Sequence, residues 1–410
     1  MKVAVFIAEE LPSNGGSYTF TSEIINSLIK LASESSHTFL VFGWQKEIPQ
    51  QFLGAKNICY ISLWDGITKS WLYGLNVILN TIFQKLRYPK TKFKIENWYE
   101  NFILLRPLQK HEIDIIWNIC PYSLTTKIPN IVTVWDLQHR MQPYFPEVST
   151  EGWKWDEREQ YYLKTLKRAS FIITGTNTAK TEIERFYEVP SERIKVLPLP
   201  TPQFALNPAL RNDKSIRDKY NLTDEYLYYP AQFWPHKNHA NLLLAVKLLK
   251  DKYDLKFSVV FTGSDKGNKE YIREMAAKLD ISLQVHFLGF IPQEDLISLY
   301  QNAFALTFVT FFGPDNLPPL EAFALGCPVV ASKVSGATEQ LQDAALLVDP
   351  KNPEDIALAI KSLWDDISLR QTLVQRGFLR ASQWSQEDYV KGIFSILDEF
   401  ATIRRCWGQK

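Results

Sequence analysis

A few charged side chains in this sequence stand where chain direction and local spacing would let them act on a ligand. In 311-FFGPDNLPPLEAFALG-326, Glu321 lies close to the start of a short apolar helix, 318–325, that Pro318 and Pro319 open and Gly326 closes. An acid there favours the positive end of the helix dipole, and the same helix start presents unpaired N–H groups to an anionic ligand. In 228-YYPAQFWPHKNHANLLLAV-246, Lys237 sits between a strand end and a helix start, within reach of a phosphate, with Asn238 at the cap. The plain alternative is an exposed lysine. In 131-IVTVWDLQHR-140 a strand runs into Asp136 and His139, an acid and an imidazole suited to proton transfer or to holding a hydroxyl. A turn-capping acid and a surface histidine would look the same. In 9-EELPSNGGSYTF-20, Gly15 and Gly16 precede the first helix, where backbone can approach a ligand and phosphate is favoured.

Other chemistries lack their motifs. There is no GxGxxG, no GxxxxGK[ST] and no GxSxG; 263-GSDKGNK-269 has neither the spacing nor the hydroxyl of a P-loop. The histidines form no HExxH or HxH set, and Cys59, Cys120, Cys327 and Cys406 are scattered, so neither a metal site nor a disulfide framework is expected. A net charge of +1 provides no field to draw in nucleic acid. Hydrophobic residues at 46% and charged residues at 22% describe a folded chain. The start, 1-MKVAVFIAEE-10, reads as a buried strand rather than a signal peptide, and no apolar run approaches the roughly 18 residues of a membrane span. These features point to a cytoplasmic protein.

The elements that must position these residues alternate between strand and helix. Strands are predicted at 2–8, 38–43, 57–62, 114–118, 131–135 and 171–174, with helices such as 17–33 and 153–168 between them. After a proline-rich break at 197–208 the pattern restarts, with strands near 226–231, 257–262, 284–288, 304–309, 328–331 and 345–348. Such alternation predicts an α/β fold of two doubly wound, Rossmann-like domains facing a central cleft, with ligands beyond the carboxyl ends of the strands. The expected division is 1–197, 198–384 and a last helix, 385–410, packing back toward the first domain. One segment departs from the even charge. Lys69, Lys85, Arg87, Lys90, Lys92 and Lys94 follow one another without an acid, around the apolar stretch 71-WLYGLNVILNTIF-83. This is either a core helix with a solvated basic loop or, through residues 71–94, a peripheral contact with anionic lipid at the inner face of the membrane.

Taken in order, the pieces resemble the retaining family-4 glycosyltransferases with the GT-B fold. The likeness covers nearly the whole chain and rests on 228-YYPAQFWPHKNH-239, 286-HFLGF-290, 298-SLYQNA-303 and 316-NLPPLEAFALGCPVVASKVSGATEQLQDAALLVDP-350. In the first half it rests on 133-TVWDLQHR-140, 170-SFIITGTNTAKTEI-183 and 193-RIKVLPLP-200. The resemblance implies transfer of a sugar from a nucleotide-diphosphate donor to a saccharide or lipid-linked acceptor, with no cofactor and no metal. It implies that Glu321 binds the ribose hydroxyls and Lys237 neutralises the donor phosphates. Asn316 and Leu317 would offer backbone N–H groups to the diphosphate and sugar. Phe287, Leu288 and Gly289 would border the base, Gly15 and Gly16 would face the phosphates, and Asp136 would stand on the acceptor side.

Three positions depart from the family pattern. A second glutamate, eight residues before the ribose-binding one, is Gly313 here; an arginine five residues before the lysine is Gln232; and the acceptor-loop histidine is Trp135. One reading keeps the enzyme active, with Asp315 supplying the absent carboxylate and His139 the absent imidazole. The other is a non-catalytic nucleotide-sugar-binding protein that has lost transfer.

Overall fold

The computed structural model describes residues 1–7, 15–63, 105–122, 125, 127–207, 215–222 and 225–408. The basic and apolar segment at 71–94, with its membrane reading, lies outside them, as do residues 9–14 of the glycine stretch. No helix among the described residues is long and apolar enough to cross a membrane.

Two separate sheets form, as the repeated alternation predicts. The first contains β1 (Lys2–Phe6), β2 (Thr38–Gly43), β3 (Ile58–Ser62), β4 (Ile115–Asn118), β5 (Asn130–Thr133), β6 (Phe171–Thr174) and β7 (Ile194–Val196), in the order β3-β2-β1-β4-β5-β6-β7. The second contains β8 (Tyr226–Pro230), β9 (Ser258–Thr262), β10 (Val285–Gly289), β11 (Ala305–Phe308), β12 (Val329–Ser332) and β13 (Leu346–Val348), in the order β10-β9-β8-β11-β12-β13. All pairings are parallel. Strands such as IIWN, FIIT and SVVFT are buried along their whole length, which is why they read as unbroken apolar runs. Burial of both faces is the mark of a parallel sheet covered by helices. β7 was not among the predicted strands; at three residues, just ahead of the proline-rich segment, it is too short to leave a periodic signal.

Each sheet reverses its strand order once, between β1 and β4 in the first and between β8 and β11 in the second. Ligands of doubly wound sheets bind at such a switch point, beyond the carboxyl ends of the strands. Gly15 and Gly16 follow β1, Lys237 follows β8, and the 311–317 loop follows β11.

Two strips of chain join the halves. Along 198–203, Thr201 Oγ1 donates to Ala381 O at 2.8 Å and Pro198 O accepts from Trp384 Nε1 at 2.9 Å. Glu23, in the first helix, accepts from Gln203 N at 2.9 Å and from Gln386 Nε2 at 2.7 Å. The Gln386–Arg404 helix begins with a capping box formed by Ser385 and Asp388 and then packs on the first sheet. Val390, Ile393, Leu397 and Phe400 share a core with Val3, Val5, Ile24 and Leu28. Gly392 lies so close to Leu197 that a Cβ there would sit 2.7 Å from its Cδ2. Lys195–Glu399 at 2.8 Å and Arg404–Asp114 at 2.8 Å finish the contact at the rim. Leu397→Ala, in a side chain 0% exposed, is expected to destabilise the protein by about 2–5 kcal/mol. Denaturant unfolding, followed by tryptophan fluorescence, measures this; an unchanged midpoint would mean that the helix does not belong to the first core.

Candidate active site

The first wall of the cleft is built on the ends of β1, β5 and β6. Gly15 has φ +70, and it introduces the Gly16–Leu31 helix directly beyond β1. Past β5, Asp136 accepts the Gln138 N–H at 2.8 Å, and the Arg158 guanidinium donates to its carboxylate and, at 2.7 Å, to its carbonyl oxygen. Burial alone would push the Asp136 carboxyl up, but the adjacent Arg158 charge and the backbone donor override it and hold the group below its ordinary value. Trp135 packs edge-on to Phe20, ring centroids 6.0 Å apart, so the position where relatives keep a histidine carries a core aromatic.

The second wall is built on the ends of β8 and β11. Lys237 ends a single helical turn, Pro235–Lys237; its carbonyl accepts from the Tyr229 hydroxyl and its ammonium lies 5.3 Å from the Phe308 ring centre. Burial lowers its pKa to about 8, with Asp136 and Glu147 from the opposite wall pulling the other way. Gln232 has its Oε1 engaged by Trp234 Nε1 at 3.1 Å. A Cβ on Gly15 would lie 4.0 Å from its Nε2, so the amide faces the glycine turn of the first wall.

The helix predicted at 318–325 runs from Leu317 to Ala324, with Asn316 at the cap. The prolines change what its start can offer. Pro318 and Pro319 have no N–H, and the Asn316 N–H donates to Gln340 Oε1 at 2.9 Å, leaving Leu317 N–H as the donor available to an anion. Of the two backbone donors expected at Asn316 and Leu317, the structure thus keeps one. Gln340 returns a bond from Nε2 to Asn316 O at 2.8 Å, clamping the loop. Glu321 is 8% exposed and accepts from the Tyr300 hydroxyl at 2.7 Å. Burial raises its pKa to about 7. At the end of β10, Phe287 packs 5.8 Å from Phe233 beneath the Arg273 guanidinium, Leu288 leans on the core, and Gly289 turns at φ +71.

The two walls touch. A Cβ on Gly16 would lie 3.3 Å from Leu317 Cδ1, so the starts of two helices from different sheets meet across the gap. The Asp315 carboxylate presses on Gly175 at the end of β6, where any Cβ would overlap it. Burial, with Asp136 and Glu339 nearby, raises the Asp315 pKa to about 7. Glu339 reaches over to the Asn177–Tyr187 helix and accepts from Asn177 N at 2.7 Å and Asn177 Nδ2 at 2.8 Å. His236 Nδ1 meets Glu147 Oε1, and Gln142 Nε2 donates to Phe311 O at 2.9 Å.

His139 is a correction. It is 0% exposed, beneath the wall, with Nε2 3.1 Å from both Glu159 Oε2 and Tyr187 Oη, and burial lowers its pKa to about 4. It orders a buried polar cluster and cannot stand in for the absent acceptor-loop imidazole. The imidazole that does reach the cleft belongs to His236, on the other wall. Asp315, likewise, aims at Gly175 rather than filling the space above Gly313. Sequence reasoning missed Glu147, His236, Glu339 and Gln340, whose partners lie up to 162 residues away. Among the described residues no group of three His, Cys, Asp or Glu side chains is placed to hold a metal ion.

Comparison with known proteins agrees with the resemblance. Residues 212–380 match the family model described as Glycosyl transferases group 1. O-antigen chain mannosyltransferase B of Escherichia coli is 28% identical over 226 residues, covering 55% of this chain and 59% of that protein. The chain spans between 52% and 59% of the length of the first curated relatives it matches. A sucrose-phosphate synthase from Thermosynechococcus elongatus superposes with TM-score 0.72 at 15% identity, over 98% of this chain and 99% of that one. Anabaena HepE in complex with UDP superposes with TM-score 0.64 at 16% identity, over 98% and 100% of the two chains. These likenesses establish the fold, the GT-B arrangement of two Rossmann-like domains.

Two predictions follow from the geometry of the 313–321 segment. Gly313 has φ +140, and a Cβ there would lie within 2.9 Å of three atoms of the Asn316 amide. Gly313→Glu, which supplies the carboxylate that the resemblance leads one to expect there, is therefore expected to lower the melting temperature. An unchanged melting temperature in that variant would contradict the loop geometry. The second concerns pH. A carboxyl raised to about 7 in the fold favours folding fully below its unfolded value and loses that contribution as pH rises through the folded one. Wild type and Glu321→Gln should melt together at pH 4, and wild type should melt below the variant at pH 8. Parallel melting curves across that range would contradict the burial of this acid.

Proposed function

We propose that this protein is a glycosyltransferase that moves a sugar from a nucleoside-diphosphate donor to a saccharide or lipid-linked acceptor, with retention of anomeric configuration and without a metal. The observation that carries the reading is the second wall itself. The group 1 match, residues 212–380, encloses Lys237, Leu317 and Glu321 on one face of the cleft, with the Gly16 helix start opposite. The names of curated relatives make mannose the first sugar to test.

The chemistry suits these side chains. Breaking the bond between sugar and phosphate leaves negative charge on the departing nucleoside diphosphate. Lys237, the Leu317 N–H and the positive end of the Gly16–Leu31 helix are donors of positive potential on both sides of that charge. With Gln232 in place of an arginine, Lys237 supplies the cation and Gln232 a neutral donor held by Trp234. Glu321, as a carboxylate, can accept two hydrogen bonds from a ribose diol. Burial favours its neutral acid, so a bound ribose would draw the proton off as its hydroxyls donate to the carboxylate beside Tyr300. The narrow gap between walls excludes water that would otherwise hydrolyse the donor. Asp136, kept charged by Arg158, is the acceptor-side acid best placed to orient an incoming hydroxyl.

The test is a panel of UDP-, GDP- and ADP-sugars, scored for donor hydrolysis with and without EDTA. Turnover of at least one donor, unaffected by EDTA, is expected. Lys237→Ala and Glu321→Ala should each weaken nucleotide binding ten-fold or more, on the order of the 1.5–3 kcal/mol of a charged hydrogen bond. Tight binding with no turnover of any donor would identify a non-catalytic binder instead; unchanged affinity in both variants would remove the site assignment.

A further inference from the structure

The contact between Glu147 and His236 has no part in the donor site just described, yet it joins the two walls beside Lys237. Glu147 lies in the Pro146–Ser149 turn of the first domain and is 7% exposed. Its Oε1 meets His236 Nδ1, accepts the His236 N–H at 3.3 Å and accepts Gln138 Nε2 at 3.4 Å. Its Oε2 is buried without a hydrogen-bond partner. The same strap carries Gln142, which donates to Phe311 O at 2.9 Å, and Phe145, which stacks on Phe311 at 5.9 Å and meets the His236 ring edge-on at 6.2 Å. On the donor side, the His236 carbonyl accepts Phe311 N at 2.8 Å and Thr310 Oγ1 at 3.1 Å. One patch of the acceptor-side domain therefore grips, at a single place, both the turn that ends in Lys237 and the loop that leads to Gly313.

We propose that Glu147 and His236 are positioning residues for the transfer, and that a sugar nucleotide docking its diphosphate on Lys237 tightens their contact and clamps the lysine turn against the acceptor-side wall. The inference rests on the nucleotide-sugar reading of the cleft.

The physical reason is the charge around His236. The groups facing it are Glu147 from the strap, Asp136 from beyond β5 and Lys237 on its own turn. Burial, then the Lys237 charge, holds the imidazole below its ordinary pKa, against the pull of Glu147 and Asp136. In the empty cleft the pair is thus weighted toward a neutral imidazole against a carboxylate with one oxygen unsatisfied, a costly arrangement for a buried acid. A diphosphate at Lys237 cancels the repulsion. His236 then takes a proton from solvent on its second nitrogen while Nδ1–H stays on Glu147, and the contact becomes an ion pair. Donor binding and closure are coupled because each favours the same charge state.

Isothermal titration at pH 7.0 in buffers of different ionisation enthalpy, with UDP-glucose and GDP-mannose as probes, reads the proton directly. These diphosphate diesters do not titrate near neutrality, and a lysine with pKa about 8 is already largely charged there. Asp315 and Glu321 also change protonation on binding, Glu321 giving up its proton as it accepts the ribose hydroxyls, so the share belonging to His236 is the difference between wild type and His236→Gln. We expect wild type to take up a fraction of a proton more per bound probe than His236→Gln. Glu147→Gln should bind about three- to ten-fold more weakly, the effect of one weakened hydrogen-bonded pair. Equal uptake and equal affinity in wild type and both variants, each shown to unfold cooperatively, would overturn the proposal. Failure of wild type to bind these probes or any other donor of the UDP-, GDP- and ADP-sugar panel while unfolding cooperatively would instead overturn the nucleotide-sugar reading, and this inference with it.

Discussion

Two helix starts belonging to different sheets must arrive at one narrow gap, and most of the structure serves that requirement. A helix start is an anion site only over its first turn, because the unpaired N–H groups and the dipole both fade within that distance. The Gly16 and Leu317 starts therefore have to be placed to within a side chain of each other, from sheets whose strands never pair. Glycine at 15 and 16 lets the first wall approach, and leucine at 317 fills what remains. The crossing strips at 198–203 and 381–386, with Glu23 bonded to both, set the angle between the sheets from the far side. The long last helix fixes the second strip by burying its apolar face in the first domain's core.

The same closeness creates an electrostatic problem. Asp136, Glu147 and Asp315 face the gap between the walls, with Lys237 and Arg158 the cations beside them, and Glu339 stands at its exposed rim. Each acid meets this in its own way. Asp136 borrows the Arg158 charge, Glu339 settles on the N-terminus of the Asn177–Tyr187 helix, and Asp315 favours its neutral form. Glu147 leans on an imidazole whose own charge depends on Lys237. Contacts of this kind respond to the charge of whatever stands beside Lys237, which is why the cross-wall pair and the lysine turn act together.

How much of this was legible in the sequence depends on the range of the interaction. Both sheets and the places of Gly16, Lys237 and Glu321 at strand ends or helix starts follow from local pattern, because strand and helix periodicity and proline or glycine punctuation act over a few residues, whereas Leu317 came only from the family resemblance. β7 escaped because three residues carry no period. The cross-cleft partners escaped for a different reason. Nothing near Glu147 specifies a histidine 89 residues later, and nothing near Glu339 points to Asn177. His139 shows the converse error: a histidine beside an acid at a strand end looked functional, yet Glu159 and Tyr187, both distant in sequence, hold it inside the fold.

Glycine at position 313, where the resemblance leads one to expect a carboxylate, is best understood through Asn316. The Asn316 side-chain amide donates to Gly313 O at 3.1 Å, closing the loop on itself, and Gln340 holds the Asn316 backbone at both polar atoms. Gly336, at φ +81, presses so closely on the Pro314 carbonyl that no side chain fits between them. With the backbone fixed from two directions, position 313 has room for hydrogen alone. Asp315 is then turned outward to Gly175 by the same geometry that excludes a side chain at 313. Glycine at 313 and the course of the loop are one structural choice, and any group seated above it meets the tight GPDN backbone and the residues of the facing wall.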